Sequence, residues 1–256
     1  MILDLHSHLV PAVDDGASSV DEALLALRAL AAEGVGALVT TPHLLLPHLD
    51  SAAAVARELD RHRRAFDTLA AAAALAEDPL PTIGLGQEIW APDATAIRRG
   101  LASPGLGLDG SSYLLVEFGF NLTGGHHDVI QDVLDAGRRI VVAHPERYRY
   151  PPGFDPIETA TAWSAAGALL QINAGSLGGH YERSNPGARD LAWRFVDDGL
   201  ADLIATDHHA SNRPVSPRDA WEAVVARCGA ELARRLMSET PERIVRNEPV
   251  ARRAAA

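Results

Sequence analysis

The sequence contains no lysine, and all 23 of its basic residues are arginine. P-loop nucleotide-binding sites and Schiff-base enzymes both require a lysine side chain, so neither kind of site can exist in this chain. The single cysteine, Cys228, cannot form an internal disulfide. A single cysteine fits a reducing compartment or a chain that is indifferent to its redox surroundings, and we expect a cytoplasmic protein because residues 1–4 show no sign of an export signal.

Long apolar runs and an excess of positive charge are also missing. The chain has no stretch of about 18 apolar residues, and residues 1–4 lack the basic segment and apolar stretch of a signal peptide. We therefore expect neither membrane insertion nor export. The formal net charge of −11 argues against nucleic acid as a partner, because such binding depends on clustered positive charge.

The chain does contain a regular alternation of short aliphatic runs and Ala- and Leu-rich amphipathic stretches. The aliphatic runs predict strands at residues 2–6, 37–41, 82–88, 113–118, 139–143, 168–173 and 201–206. The amphipathic stretches predict helices at residues 20–33, 50–76, 127–136, 157–166, 187–198 and 217–237. This order predicts an α/β protein, a (β/α)₇ barrel formed by one domain over residues 1–250, with a frayed tail at 251–256.

Polar side chains that are capable of chemistry end most of these aliphatic runs. In chain order they are His6, His8, His43, Glu88, Glu117, His144, Asp207 and His209. They recur roughly every 30 residues, which is the length of a βα unit. Barrel enzymes assemble their sites from the carboxyl ends of several strands, so we expect these side chains to meet.

The spacing within this set favours metal binding. His6 and His8 lie two residues apart at a strand end, so both imidazoles point to one side, and Asp207 and His209 repeat the arrangement. Oxygen and nitrogen ligands without cysteine suit Mn²⁺, Fe²⁺, Zn²⁺ or Mg²⁺. The candidates outnumber the ligands of one cation, so we expect two or three ions, an arrangement that activates water and binds phosphoryl oxygens.

Seven blocks of sequence span nearly the whole chain. They are DLHSHLVPAVDDGA from residue 4, TTPH from residue 40, GQEI from residue 86, LVEF from residue 115, AHPERY from residue 143, QINAGSL from residue 171 and TDHH from residue 206. In this order they resemble the bacterial tyrosine-protein phosphatases of the polymerase-and-histidinol-phosphatase (PHP) superfamily, the group associated with capsule and exopolysaccharide operons.

This resemblance implies a distorted (β/α)₇ barrel of the PHP fold that binds three metal ions, with manganese as the expected metal. The implied ligands are His6, His8, Glu88 and Asp207 for one ion, Glu88, Glu117 and His144 for a second, and Asp15, His43 and His209 for the third. Asp14 would be the neighbouring acid that turns outward. Arg147 and Arg213 match family positions that bind the substrate phosphate.

The activity implied by the resemblance is hydrolysis of phosphotyrosine by a metal-bound hydroxide that attacks phosphorus, with no protein nucleophile. A phenolate, with a pKa of about 10, is a fair leaving group for this reaction. The implied substrate is the phosphorylated tail of a membrane-associated, polysaccharide-regulating tyrosine kinase.

Four alternatives remain open at this stage. Another PHP phosphoesterase, such as histidinol-phosphate phosphatase, shares the metal ligands and is the main one. Amidohydrolases also begin with H-x-H, although many bridge their metals with a carboxylated lysine. Cys228 and Arg234 have the C-x₅-R spacing of cysteine phosphatases, but they lie in a predicted continuous helix without a phosphate-binding loop. A binding module without activity is the fourth, and the two arginines argue against it.

Overall fold

The computed structural model describes residues 1–251, so residues 252–256 of the predicted frayed tail lie outside the described residues. Nine short strands occur in the described part of the chain, and every ladder pair is parallel. They are β1 (Ile2–Asp4), β2 (Val35–Thr40), β3 (His43–Leu45), β4 (Thr82–Leu85), β5 (Glu88–Trp90), β6 (Tyr113–Glu117), β7 (Arg139–Ala143), β8 (Leu169–Asn173) and β9 (Leu203–Ala205).

The nine strands occupy seven positions in a ring. They pair in the orders β1-β2-β4 and β3-β5-β6-β7-β8-β9, and β3 and β5 continue the directions of β2 and β4 after short interruptions. The first and last positions are joined where the Asp207 N–H donates to the His6 carbonyl at 2.7 Å and the His8 N–H to the His208 carbonyl at 2.8 Å. The predicted (β/α)₇ barrel is therefore confirmed.

The two interruptions distort the barrel next to the candidate ligands. Pro42 has no N–H to donate to a ladder, and the chain resumes pairing at His43, the first residue of β3. At the second break, a Cβ on Gly86 would lie 2.9 Å from the Leu108 side chain, so the close approach favours glycine. The sequence predicted that these strands would end near His43 and Glu88, whereas each continues for two more residues.

Helices connect the strands, as the alternation predicted. They are α1 (Val20–Ala32), α2 (Ala52–Ala74), α3 (Ala94–Leu101), α4 (His126–Asp135), α5 (Pro156–Ala166), α6 (Ala174–Leu177), α7 (Ala188–Asp197), α8 (Pro217–Cys228), α9 (Ala230–Arg234) and, after a π-helical turn at Arg235–Glu239, α10 (Thr240–Val245). No helix within residues 1–251 combines the length and apolar character that crossing a membrane requires.

One helix prediction is wrong. The segment over residues 217–237 is not continuous, because α8 ends at Cys228 and Gly229 takes the left-handed φ of 91°. Glycine adopts this conformation without the steric cost that a Cβ would bring. The break leaves Cys228 at a helix end, half-buried, and burial raises the pKa of its thiol.

The strands carry an apolar inner face that becomes polar toward the carboxyl end. Tyr113 and Leu115 of β6 lie in a buried apolar cluster with Leu169 of β8. Two residues further along their strands, Glu117 and Gln171 take the same inward direction. The alternation of each strand therefore packs the base of the barrel and places polar side chains at its top.

A buried hydrogen bond joins two of the helices outside the ring, α4 and α5. The Trp163 indole N–H donates to His126 Nδ1 at 2.9 Å, and both side chains are fully buried. Burial, with a smaller contribution from the charge of His127, lowers the pKa of His126 from its ordinary 6.5 to about 4. The folded protein thus keeps this imidazole neutral at a pH where an unfolded chain protonates it.

This difference predicts acid-sensitive stability. Between pH 6.5 and about 4 the unfolded chain binds a proton that folded His126 refuses, so the free energy of unfolding falls as the pH falls through this window. In His126→Gln the fall between pH 7 and pH 5, measured by denaturant unfolding, should be smaller than in the wild type. His127→Gln changes the exposed neighbour, removes only the smaller contribution to the shift, and should keep most of the wild-type fall. An equal fall in all three proteins would contradict the prediction.

Candidate metal centre

The predicted site residues converge at the carboxyl end of the barrel. Three overlapping groups have ligand atoms that all lie within 4.8 Å of one another and could hold metal ions. The groups are His6, His8, Glu88 and Asp207; His8, Asp15, His43 and His209; and His43, Glu88 and Glu117. His144 belongs to none of these groups but lies beside Glu88.

Glu88 occupies the centre of the cluster and is almost fully buried. Its Oε1 lies 3.3 Å from His6 Nε2 and 2.9 Å from His144 Nε2. Its Oε2 lies 3.3 Å from His8 Nε2 and 2.8 Å from His43 Nδ1. The imidazoles outweigh the effect of burial and hold the pKa of Glu88 well below its usual value. One carboxylate thus faces four imidazoles.

Groups behind the cluster orient two of the imidazoles. His6 Nδ1 lies 3.0 Å from the Gln171 side-chain oxygen, and His209 Nδ1 lies 2.9 Å from the Asp207 carbonyl. Since both oxygens can only accept, each Nδ1 carries the proton and donates it. The Nε2 of His6 is then left with a lone pair that faces Glu88 and Asp207, which is the usual arrangement of a metal-binding histidine. The Nε2 of His209 lies 3.2 Å from Asp15 Oδ1 and also 2.6 Å from Arg213 Nη2.

Asp14 and Asp15 have different roles. Asp14 does not turn outward as expected: its Oδ2 lies 2.8 Å from His8 Nδ1 and accepts from the His43 N–H at 3.1 Å. Burial opposes ionisation of Asp14, but the bond to His8 prevails and lowers its pKa to about 2. Asp15 presents an oxygen 3.3 Å from His43 Nε2 and 3.2 Å from His209 Nε2, although its side chain is 62% exposed.

Backbone strain is located at two of the candidate ligands. His144 follows β7 with a φ of 33°, and Asp207 follows β9 with a φ of 53°. For residues with a Cβ the left-handed region costs roughly 1–2 kcal/mol each. Both residues turn the chain sharply at the end of a strand and aim their side chains at the centre of the ring.

The donor set fits divalent cations. Glu88 Oε2 and His43 Nδ1 lie 2.8 Å apart, yet neither makes a hydrogen bond, and the buried Nδ1 of His144 also has no hydrogen-bond partner among residues 1–251. Buried polar atoms without partners are costly, and a shared cation satisfies atoms of this kind. Burial and the charge of Glu88 also raise the pKa of Glu117 to about 7.

Both predicted phosphate-binding arginines lie against Asp207. Arg147 is nearly buried, and its Nη1 donates to Asp207 Oδ2 at 2.5 Å. Its guanidinium carbon lies 4.2 Å from the centre of the Tyr181 ring and 5.0 Å from that of Phe120. Arg213 Nη2 lies 3.4 Å from Asp207 Oδ1. Two guanidinium groups therefore flank the candidate ligands, where they could bind phosphoryl oxygens.

Sequence reasoning did not assign roles to the groups that orient the ligands. Besides Asp14 and Gln171, Asn173 donates from Nδ2 to Asp207 Oδ2 at 3.1 Å. The same-face spacing of Gln171 and Asn173 at the end of β8 is a signal that could have identified them.

The cysteine alternative finds no support in the geometry. Burial raises the pKa of the Cys228 thiol, whereas a nucleophilic cysteine needs a lowered one. Arg234 donates to Glu239 at 2.7 Å, in an exposed ion pair on the next turn of helix.

Comparison with known proteins gives a consistent result. A sequence model of the family described as "Capsular polysaccharide synthesis, CpsB/CapC" matches residues 2–246. The chain is 29% identical to the putative tyrosine-protein phosphatase CapC of Staphylococcus aureus, over 83% of this chain and 79% of the relative. It is 27% identical to the tyrosine-protein phosphatase YwqE of Bacillus subtilis, over 98% of this chain and 94% of the relative.

A solved structure agrees with these sequence matches. It comes from the crystal structures of YwqE from Bacillus subtilis and CpsB from Streptococcus pneumoniae, described as unique metal-dependent tyrosine phosphatases. The alignment has a TM-score of 0.78 at 25% identity and covers 99% of this chain and 98% of the other. The resemblance identified from the seven sequence blocks is confirmed, and this chain belongs to the CpsB/CapC family of capsular polysaccharide synthesis.

Proposed function

We propose that this protein is a metal-dependent protein-tyrosine phosphatase. The observation that carries the proposal is the buried Glu88 carboxylate, which is surrounded by imidazoles and lies beside Asp207, the residue that pairs with the guanidinium groups of Arg147 and Arg213. Family membership supports the same activity, because the similar proteins are described as tyrosine-protein phosphatases. A phosphate monoester needs cations and positively charged donors around its oxygens, and this site offers candidate ligands for the cations and two guanidinium groups as the donors.

The proposed ligand sets are those implied by the seven sequence blocks, and they differ from the three groups in two respects: His144 takes the place of His43 beside Glu88 and Glu117, and His8 belongs to the first set alone. His6, His8, Glu88 and Asp207 would hold one ion, and Asp15, His43 and His209 another. Glu88 would reach a further ion together with Glu117 and His144. When bound, divalent ions supply Lewis-acid catalysis and the activation of water that hydrolysis requires. Manganese is the proposed metal, and elemental analysis of the purified protein would identify it.

The protein's own groups bind and orient the substrate in this proposal. Arg147 and Arg213 donate to the phosphoryl oxygens, and the planar guanidinium matches two oxygens at once. Arg147 is held in place by Asp207 and by the Tyr181 ring, so little side-chain freedom is lost on binding. The tyrosyl oxygen leaves as phenolate, whose pKa of about 10 makes a strong general acid unnecessary.

The proposed physiological substrate is a phosphorylated, membrane-associated tyrosine kinase that regulates polysaccharide synthesis. The family description supports this choice through its link to capsular polysaccharide synthesis. The reaction is proposed to take place in the cytoplasm.

Substrate selectivity tests the proposal. With Mn²⁺ supplied, the protein should hydrolyse a phosphotyrosyl peptide with a higher kcat/KM than the matched phosphoseryl peptide or histidinol phosphate. A preference for histidinol phosphate would assign the protein to the main alternative. Failure to hydrolyse any of the three with any of Mn²⁺, Fe²⁺, Zn²⁺ or Mg²⁺ would refute the enzyme proposal and favour a binding module.

Removing the charge of Asp14 should weaken metal binding. In Asp14→Asn the carboxylate that accepts from His8 Nδ1 becomes an amide, so the imidazole loses its charged partner. Loss of such an outer partner typically costs 10–100-fold in metal affinity, and we expect a decrease of about this size. Competition with a chromophoric chelator measures it. Asp67→Asn, on the exposed face of α2, is the control, and an unchanged affinity in Asp14→Asn would contradict the expected role.

A further inference from the structure

A small cavity opens beside the phosphate-binding arginine Arg147. It has a volume of about 200 Å³ and is lined by Phe120, Arg147, Arg149, Ser184 and Asn185. Pockets for drug-sized ligands usually measure about 300–1,000 Å³. The cavity is therefore suited to one side chain rather than to a larger molecule, and it shares Arg147 with the candidate phosphoryl site.

Phe120 is the aromatic wall of this cavity. The residue is 45% exposed, and the other large exposed apolar residues of the described chain carry no aromatic ring. Two groups lie near the ring: the Arg147 guanidinium carbon is 5.0 Å from its centre, and the nearly parallel His144 ring is 6.1 Å away at 17°. Because the residue remains partly exposed, it offers apolar surface next to the candidate metal centre.

The backbone holds Phe120 in a defined position. The Phe120 carbonyl accepts from the Arg149 N–H at 2.6 Å, and the Leu122 N–H donates to the Arg149 carbonyl at 3.2 Å. On the opposite side, Asn185 Nδ2 donates to the Arg147 carbonyl at 2.7 Å. The cavity walls are thus hydrogen-bonded to the segment that carries Arg147. When Arg147 binds the phosphate of a substrate, the organic group of that substrate therefore contacts an aromatic surface in a fixed position.

We propose that Phe120 is a specificity-determining residue that binds the phenyl ring of phosphotyrosine in this cavity. The identity of the ligand rests on the proposed function. Aromatic pairs in offset or edge-to-face contact gain binding free energy beyond the burial of area, up to about a tenfold gain in affinity. An alkyl phosphate, such as phosphoserine, has no ring to fill the cavity and gains no binding free energy from an aromatic pair. The cavity therefore favours aryl over alkyl phosphates through binding.

Two non-hydrolysable ligands separate the ring from the phosphate. Phenylphosphonate and methylphosphonate present similar anionic groups to Arg147, and only the first carries a ring. Calorimetric titration of the Mn²⁺-loaded protein should show tighter binding of phenylphosphonate. Phe120→Ala should weaken phenylphosphonate binding about tenfold and leave methylphosphonate binding unchanged. Phe120→Leu keeps an apolar side chain, so its affinity for phenylphosphonate should lie between those of the wild type and Phe120→Ala. It also provides the test if the alanine variant does not fold.

Leu25→Ala is the matched control, because it truncates an apolar side chain that is 63% exposed on α1, away from the site. An equal loss for both phosphonates would overturn the proposal, since it would mean that Phe120 only supports Arg147. Wild-type protein that binds both phosphonates equally would overturn it too. These outcomes are separate from a failure of the proposed function, which would appear as absent phosphotyrosine hydrolysis while the preference for the ring persists.

Discussion

Replacing Glu88 with glutamine is expected to lower kcat/KM for a phosphotyrosyl peptide by about 10³-fold, the upper end of what the loss of one electrostatic stabiliser costs. The reason is that both carboxylate oxygens of Glu88 are engaged, with His6 and His144 facing Oε1, and His8 and His43 facing Oε2. Glutamine keeps the shape but removes the charge and turns one oxygen into a donor. The four imidazoles around it interact favourably with an anion.

Elemental analysis of the same variant distinguishes loss of metal from loss of catalysis. Glu88→Gln should contain at least one metal ion fewer per chain than the wild type. The matched control is Glu146→Gln, a second buried glutamate, which accepts from the Asn173 N–H at 3.0 Å and from Ser176 at 2.7 Å. Burial raises the pKa of Glu146 to about 7, so the neutral amide replaces a group that is already readily protonated. Full metal content and activity in Glu88→Gln would refute its central role.

Arg147→Ala should lower kcat/KM for phosphotyrosyl substrates by about 10²-fold, the cost of losing one charged donor to a transferring phosphoryl group. The guanidinium is already buried and paired with Asp207, so its orientation is set before the substrate arrives. Arg147→Lys keeps the charge but cannot bind two oxygens in a plane, and most of the loss should remain. The inhibition constant of inorganic phosphate should rise in both variants, while metal content stays at the wild-type level.

Arg227→Ala is a close control for this prediction. Arg227 also pairs with an aspartate, Asp197, and also stacks on an aromatic ring, Trp193, with its guanidinium carbon 4.7 Å from the ring centre. It is half exposed and lies on α8, so its loss should leave kcat/KM unchanged. If Arg147→Ala also behaved in this way, Arg147 would be a structural residue and the phosphate would have to bind elsewhere.

The sequence allowed the ring and the location of its site to be predicted because both follow from periodicity. Alternation along each strand turns every second side chain inward, so a polar residue such as Glu117, two residues after Leu115, had to lie at the open end of the barrel. The order of the units then brought the two ends of the chain together. These are local rules, and they apply before any tertiary contact is known.

The details that were predicted wrongly depend on contacts that are distant in sequence. Asp14 turns inward because His8 and the His43 backbone offer it two donors, and neither donor is visible from its neighbours in the chain. The break at Gly229 was missed because the flanking residues favour a helix, and one glycine is tolerated in many helices. The extension of β5 beyond Glu88 depends on pairing with β6, where Trp90 lies opposite Glu117.

The closure of the ring between the first and last strands also has a consequence for biosynthesis. His6 and Thr206, which lie in contact in the barrel, are 200 positions apart in the chain. At roughly 5–20 residues per second, a ribosome needs about 10–40 s to make the chain between them. Throughout this interval the first histidines of the proposed centre exist without Asp207 and His209. A nascent chain therefore cannot complete the proposed cation site until the last strand has emerged, so closing the barrel and finishing the metal centre become the same late event.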